Sequence, residues 1–240
     1  MNCLSDICRE RAVRHIFVLT GAGISADSGI KTFRAEDGLW ENHSIDDVCT
    51  PQGFARNPVL VQNFYNARRA ELRGVEPNPA HLALARFADH FSGHLTLVTQ
   101  NIDDLHERAG STDVIHMHGT LLRVRCQASG QAFDFTGDVT NQTRCLCCHR
   151  KGTLRPDVVW FGEVPMHMAL IESALADADL FVAIGTSGVV YPAAGFCQLA
   201  RMAGTMTVEL NLAPSAGAEC FDICLSGRAV DTVPSFFVMA

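Results

Sequence analysis

HIFVLT followed by GAGISADSGIKTFR, residues 15–34, decides the fold. The first six residues read as a strand. Gly21, Gly23 and Ala26 then satisfy the G-x-G-x-x-G/A turn that joins a strand to a dinucleotide phosphate. In the usual hydride-transfer arrangement a helix, a second strand and an acidic residue about 20 residues on would follow. Here Glu41, Asp46 and Asp47 lie in ENHSIDDVCT, with no strand before them. The turn predicts a phosphate cradle and argues against a standard dehydrogenase.

Working outward, further strand-like runs occur at Leu95–Thr99, Val114–His118, Leu180–Ile184 and Met206–Leu210, with a weaker one near Ala229–Val233. Helix-like segments lie between them, for example Pro79–His90 and Met168–Ala178. This alternation predicts an α/β fold with a parallel, doubly wound sheet. TGAG, TQNIDD, GTSG and VELNLAP place polar or glycine residues at four strand ends. Ligands of open α/β sheets bind beyond the carboxyl ends of the strands, so one shared crevice is expected there. Residues 34–78 and 119–157 break the alternation and read as insertions that form a smaller second unit.

The 240 residues allow one large domain with a small appendage. A net charge of −7 without any Lys/Arg-rich run argues against nucleic-acid binding. The apolar run Ile16–Ile24 is short and enters the glycine turn, so it reads as a strand and not as an export signal. Leu180–Ala200 carries no charge, but glycines and Pro192 interrupt it, which excludes a membrane span. Ten cysteines in such a chain point to thiols or metal in a cytoplasmic protein, not to disulfides.

Three patches carry candidate chemistry. TQNIDD sets Gln100, Asn101 and Asp103 at a strand end, although Asn and Asp also serve as ordinary helix caps. In IHMHG the strand period puts His116 and His118 on one face, and either could be a general base. Residues 126–148 read C-x2-S-x15-C-x-C-C, a zinc-ribbon spacing with Ser129 in the second cysteine's place. Cys126, Cys145 and Cys148 fit that template; Cys147, His149, Ser129 or water completes the four donors zinc needs.

Taken together, GAGISADSGIKTFR, TQNIDDLHERAG, HMHG, the cysteine module, RPDVVWFGE, GTSGVVYPAA and VELNL resemble the sirtuins, NAD-dependent protein-lysine deacylases. The match runs in order over nearly the whole chain and is most similar to the bacterial CobB-like, desuccinylase-type group. The resemblance implies a Rossmann-like large part (residues 9–33, 91–118 and 158–240). It implies a small part from a helical insertion, 34–90, and a zinc module, 119–157. It implies NAD, consumed as a co-substrate, and one structural zinc ion. It also implies transfer of the acyl group to ADP-ribose, with release of nicotinamide and free lysine.

The resemblance assigns roles residue by residue. His118 is the implied general base, and Asn101 and Asp103 position the nicotinamide ribose and carboxamide beside Gln100 and Ile102. Gly21, Ala22, Gly23, Asp27, Phe33, Arg34 and Trp40 belong to the cofactor segment, and Gly185, Thr186, Ser187, Asn211 and Ala229 to its far rim. Trp160, Phe161 and Gly162 pair with the acyl-lysine protein as an added strand. Tyr65 and Arg68, three residues apart on one helix, would grip the carboxylate of succinyl- or malonyl-lysine, though Arg69 also lies within reach of Tyr65. The expected protein is a deacetylase and desuccinylase or demalonylase, a monomer or weak oligomer, binding neither nucleic acid nor membrane. Two departures stand out: Lys31 follows SGI where many sirtuins have proline, and Ser129 replaces a cysteine.

Overall fold

The structure, a computed structural model, describes residues 3–31, 39–40 and 43–238. Its main sheet has six parallel strands: β1 (His15–Thr20), β4 (His94–Thr99), β5 (Ile115–His116), β9 (Leu180–Ile184), β10 (Met206–Asn211) and β11 (Ile223–Ser226). They lie in the order β11-β10-β9-β1-β4-β5. A two-stranded ribbon pairs β2 (Leu39–Trp40) with β3 (His43–Ser44), and β6 (Gly119–Cys126), β7 (Ala132–Asp134) and β8 (Leu154–Val158) form a small antiparallel sheet.

β1 and β9 are buried along almost their whole length, as strands covered on both faces must be. Their side chains alternate between two cores. Ile16, Val18, Val182 and Ile184 pack with α1 (Leu4–Glu10), α5 (Pro79–His90) and α9 (Ala229–Phe236). Phe17, Leu19, Phe181 and Ala183 pack on the other face with α7 (Met168–Ala176) and α8 (Phe196–Met202). α2 (Ile45–Val48), α3 (Pro51–Arg56) and α4 (Pro58–Leu72) share a third core with Leu121, Val158 and Trp160. α6 (Leu105–Arg108) follows β4 directly.

From β1 the chain crosses to β4 and β5 on one side, then returns through the small sheet to β9, β10 and β11 on the other. The order therefore reverses between β1 and β9, and their carboxyl ends flank the crevice where ligands of such sheets bind.

One expected strand is wrong. Ala229–Val233 begins helix α9, and the sixth strand is Ile223–Ser226. The β-branched run AVDTV suggests a strand, but Ala229, Val233 and Phe236 meet the core at helical spacing. Gly227, at φ +156, turns the chain between the two elements. The strand expected at Val114–His118 is shorter, because Gly119 at φ +77 reverses the chain into β6. A Cβ on Gly119 would stand 2.1 Å from the Asp157 carbonyl oxygen. Among the described residues, no helix is long and apolar enough to cross a membrane.

Candidate active site

The glycine turn is locked against a second glycine loop. The Gly21 N–H donates to the Ile184 carbonyl and the Gly23 N–H to the Gly185 carbonyl, each at 2.9 Å. Cβ atoms on Gly21 and Gly23 would stand 2.7 Å from Gly185 O and 2.6 Å from Gly185 Cα. Gly185 itself has φ +62. Two glycine loops, from β1 and β9, thus interlock backbone to backbone at the switch point. These glycines are required by that contact, and their two amides are already bonded within the protein.

Next to this contact lies a buried polar chain. The Asn101 amide nitrogen donates to Gly21 O and to Ser25 Oγ, both at 3.2 Å. The Ser25 hydroxyl donates to Asp103 Oδ2 at 3.1 Å. The Leu105 N–H donates to Asp103 Oδ1 at 3.2 Å. Burial pushes the Asp103 carboxyl up to about 6, against the pull of the Leu105 and Ser25 bonds. Ser25, fully buried, is the member of this chain that sequence reasoning missed. Its signal was the first hydroxyl after a glycine turn.

The two histidines separate by their partners. His118 Nδ1 lies 2.9 Å from the Gln100 carbonyl oxygen. A carbonyl only accepts, so Nδ1 carries the proton and Nε2 keeps its lone pair. Burial lowers the His118 pKa while the Gln100 bond opposes it, so the ring is neutral at neutral pH. His116 Nδ1 faces the Asn101 carbonyl at 3.2 Å and Nε2 the Glu107 carboxylate at 2.6 Å. Both of its nitrogens therefore donate. Burial works to lower the His116 pKa, but Glu107 outweighs it and the net shift is upward. His116 is thus biased toward its protonated form and His118 toward its neutral one.

The far rim is built from β9 and β10. The Asn211 amide donates to the Thr186 carbonyl at 2.7 Å, and the Gly185 N–H donates to Leu210 O at 2.9 Å. Ser187 lies exposed beside them. Asp27, just past the glycine turn, accepts from Arg228 Nε and Nη2 at 3.1 and 2.8 Å, and Ala229 follows Arg228 as the first residue of α9. Gln100, Asn101, Ile102, Asp103, Thr186, Ser187 and Asn211 thus come together at the ends of β4, β9 and β10. Amides, hydroxyls and one carboxyl of this kind suit ribose hydroxyls, a carboxamide and a pyrophosphate, so the donor set fits NAD. Ala22 lies in the turn itself, whereas Phe33 and Arg34 lie outside the described residues.

Trp40, in the short ribbon, packs against α4. Its ring packs on Phe64 (5.0 Å between centroids) and Tyr65 (6.3 Å), in the core beside α4. That core continues through Tyr65 to Trp160, 6.5 Å away, and to Phe54. Tyr65 is buried: its hydroxyl accepts from Trp160 Nε1 at 2.9 Å and donates to Cys49 Sγ at 3.8 Å. Burial, followed by Cys49, pushes this phenol well above its ordinary range, so it stays a donor. Arg69 is fully buried, with Nε on the Leu121 carbonyl and Nη1 on Asn66 Oδ1. It is a structural residue of α4. Arg68 is the partly exposed arginine of the pair; its guanidinium lies 5.0 Å above the Phe64 ring and grips Glu71 through two bonds.

β8 is an edge strand of the small sheet and leads into Trp160–Gly162. Arg155 stacks 3.5 Å above the Trp160 ring and holds Glu163 with two bonds, at 2.6 and 2.9 Å. Glu163 in turn accepts the Trp160 backbone N–H at 2.8 Å. Phe161 is exposed, and its own N–H donates to the Cys49 carbonyl. Gly162, at φ +89, has open space on its Cβ side.

Four cysteines close the small sheet. The Sγ atoms of Cys126, Cys145, Cys147 and Cys148 all lie within 4.8 Å of one another. Cys126 and Cys148 are 3.8 Å apart, matching the edge of about 3.8 Å that a tetrahedron with Zn–S of about 2.3 Å requires. The thiols therefore fit zinc, and the fourth donor that spacing left open is Cys147. Ser129 stands next to it, its Oγ 3.2 Å from Cys147 Sγ.

A Rossmann-like sheet whose strand ends gather a neutral histidine, an amide and a buried carboxyl defines a dinucleotide-binding protein equipped for acid–base chemistry. The chain belongs to the Sir2 family, whose model matches residues 21–192. It is 59% identical to an NAD-dependent protein deacylase of Escherichia coli O6:H1 (strain CFT073), over 92% of this chain and 82% of that protein. A Sir2 homolog–NAD complex superposes with a TM-score of 0.84 at 36% identity, covering 94% of this chain and 88% of that one. Sir2 bound to an acetylated peptide gives 0.81 at 28%, over 95% and 93% of the two chains.

Proposed function

We propose that this protein is an NAD-dependent protein-lysine deacylase that removes acetyl and also succinyl or malonyl groups. Deacylation rests on family membership and on the deacylase name of its relative. The observation that carries the chemistry is His118, neutral and with Nε2 unprotonated, beside the Asn101–Ser25–Asp103 chain.

When bound, NAD supplies a ribose carbon that becomes electrophilic as nicotinamide leaves and a neighbouring hydroxyl that can attack the acyl group. Gly21–Gly23, Asp27, Gln100–Asp103, Gly185–Ser187 and Asn211 would hold it. His118 Nε2 accepts a proton from a ribose hydroxyl, and the Gln100 carbonyl keeps the ring oriented while it does so. Asn101 and Asp103 orient the amide and ribose end. The acyl-lysine segment is read as an added strand paired with Trp160–Gly162, which favours backbone recognition tolerant of sequence. Tyr65 and Arg68 support the carboxylate reading. The Tyr65 proton goes to a thiol, a weak acceptor that a carboxylate oxygen readily replaces.

Ten free thiols support a reducing, cytoplasmic setting, and the net charge of −7 supports protein over nucleic-acid partners. The direct test is incubation with NAD and acetyl- or succinyl-lysine peptides, followed by mass spectrometry. Free nicotinamide, deacylated peptide and acyl-ADP-ribose are expected. NADH without free nicotinamide would overturn the assignment.

A further inference from the structure

Arg68 already holds a carboxylate of the protein's own. Its Nε donates to Glu71 Oε2 at 2.9 Å and its Nη2 to Glu71 Oε1 at 2.8 Å, a bidentate grip. The arginine side chain is only 15% exposed and lies over the Phe64 ring, whereas Glu71 is 60% exposed at the end of α4. Three residues separate the two, so the pair is local to the helix and forms without any substrate. Arg69 offers no alternative, being buried and bonded to Leu121 and Asn66.

We propose that Glu71 is a built-in competitor for the Arg68 guanidinium and so sets the acyl preference. This rests on the reading of Arg68 as the acyl-carboxylate clamp. A succinyl or malonyl carboxylate meets an arginine whose single charge is already neutralised. It must either displace Glu71 from the Nε–Nη2 edge or take the remaining edge beside a second negative charge. Acetyl-lysine has no carboxylate and encounters neither obstacle. The apparent dissociation constant is the intrinsic one divided by the fraction of enzyme with a free fork, so a closed pair raises KM for dicarboxylyl substrates selectively. A partly exposed pair of this type closes the fork only a few-fold, which puts the expected effect at about threefold.

The test compares kcat/KM for succinyl- and acetyl-lysine forms of one peptide in the wild type, Glu71→Gln and Arg68→Met. Glu71→Gln keeps the shape and removes the charge, at a largely exposed position where folding is not at risk. It is expected to raise the succinyl-to-acetyl ratio about threefold, through a lower succinyl KM. Arg68→Met is expected to lower the same ratio strongly. If Arg68→Met is selective but Glu71→Gln leaves the ratio unchanged, the competitor role alone is overturned. A ratio that falls in Glu71→Gln overturns it as well, because Glu71 would then be holding Arg68 in its binding pose. If Arg68→Met lowers both activities alike, the clamp reading fails and the competitor with it.

Discussion

In the strand-end crevice four polar side chains are each held by a partner that the chain supplies. His118 has the Gln100 carbonyl, His116 has Glu107, Asn101 has Gly21 and Ser25, and Asp103 has Ser25 and Leu105. In the cysteine module four thiols crowd within 4.8 Å, bonded to one another, to the Ser129 and Thr153 hydroxyls and to backbone groups at Ala128, Ser129 and Arg150. Thiols are poor hydrogen-bonding groups, and four thiolates so close would repel one another without a cation. The crevice is therefore complete as protein, while the module is completed by its ligand. Removing a residue from the first is expected to cost chemistry; removing one from the second is expected to cost structure.

The largest effect tests the first half of that contrast. His118→Ala is expected to lower kcat by about 10²–10⁴, the usual contribution of a positioned general base. The melting temperature is expected to stay within about 3 °C, since one hydrogen bond to a partly exposed ring is lost. Steady-state kinetics and calorimetry on the same preparation decide it. A large drop in melting temperature would show that the crevice, too, depends on this side chain to fold. In the wild type the base must be neutral, and burial lowers its pKa. The acid limb of activity is thus expected below pH 6.5, with activity lost as the pH falls through the lowered value.

The next effect tests the second half. Cys147→Ser is expected to reduce bound zinc below one ion per chain and to lower the melting temperature on the order of 10 °C, because a structural zinc site contributes several kcal/mol of folding energy. A strong chelator added to the wild type is expected to do the same. Metal analysis and differential scanning calorimetry check both, with Cys224→Ser, an exposed thiol outside the cluster, as the control. Full zinc content in Cys147→Ser would return the fourth position to another donor, with Ser129 the nearest.

What the sequence revealed follows the same division between local and long-range order. β1, β9 and α5 stand where the apolar runs and the helix-like segment Pro79–His90 place them, because their signals are local. α9 was misread because a short β-branched run fits either period until its neighbours are known. The choice between His116 and His118 could not be read from period two, since both rings reach back to carbonyls of the same TQN turn. Only the residue at the other nitrogen, Glu107, separates them. The partners of Tyr65 lie 16 and 95 residues away, beyond the reach of any helical pattern. The glycine fingerprint was legible as a turn, but its packing against Gly185 was not, since that contact joins residues about 160 positions apart in sequence.

The smallest expected effect asks whether the crevice holds its charge as firmly as its geometry. Glu107→Gln keeps a hydrogen-bonding group opposite His116 Nε2 but removes the charge that raises the His116 pKa. A raised folded pKa means that the stabilisation from His116–Glu107 is fully present below the unfolded histidine value, near 6.5. It is lost as the pH rises through the folded value. Wild type and variant are therefore expected to differ most between pH 5 and 6.5, by about 0.5–1 kcal/mol given the partly exposed Glu107, and to converge above pH 8. Urea unfolding at a series of pH values measures this. The protonated ring also favours the charged form of Asp103, so the variant's Asp103 is expected to titrate above about 6. A stability difference independent of pH would mean that His116 serves by shape alone, and that the crevice, unlike the thiolate module, supplies position without charge.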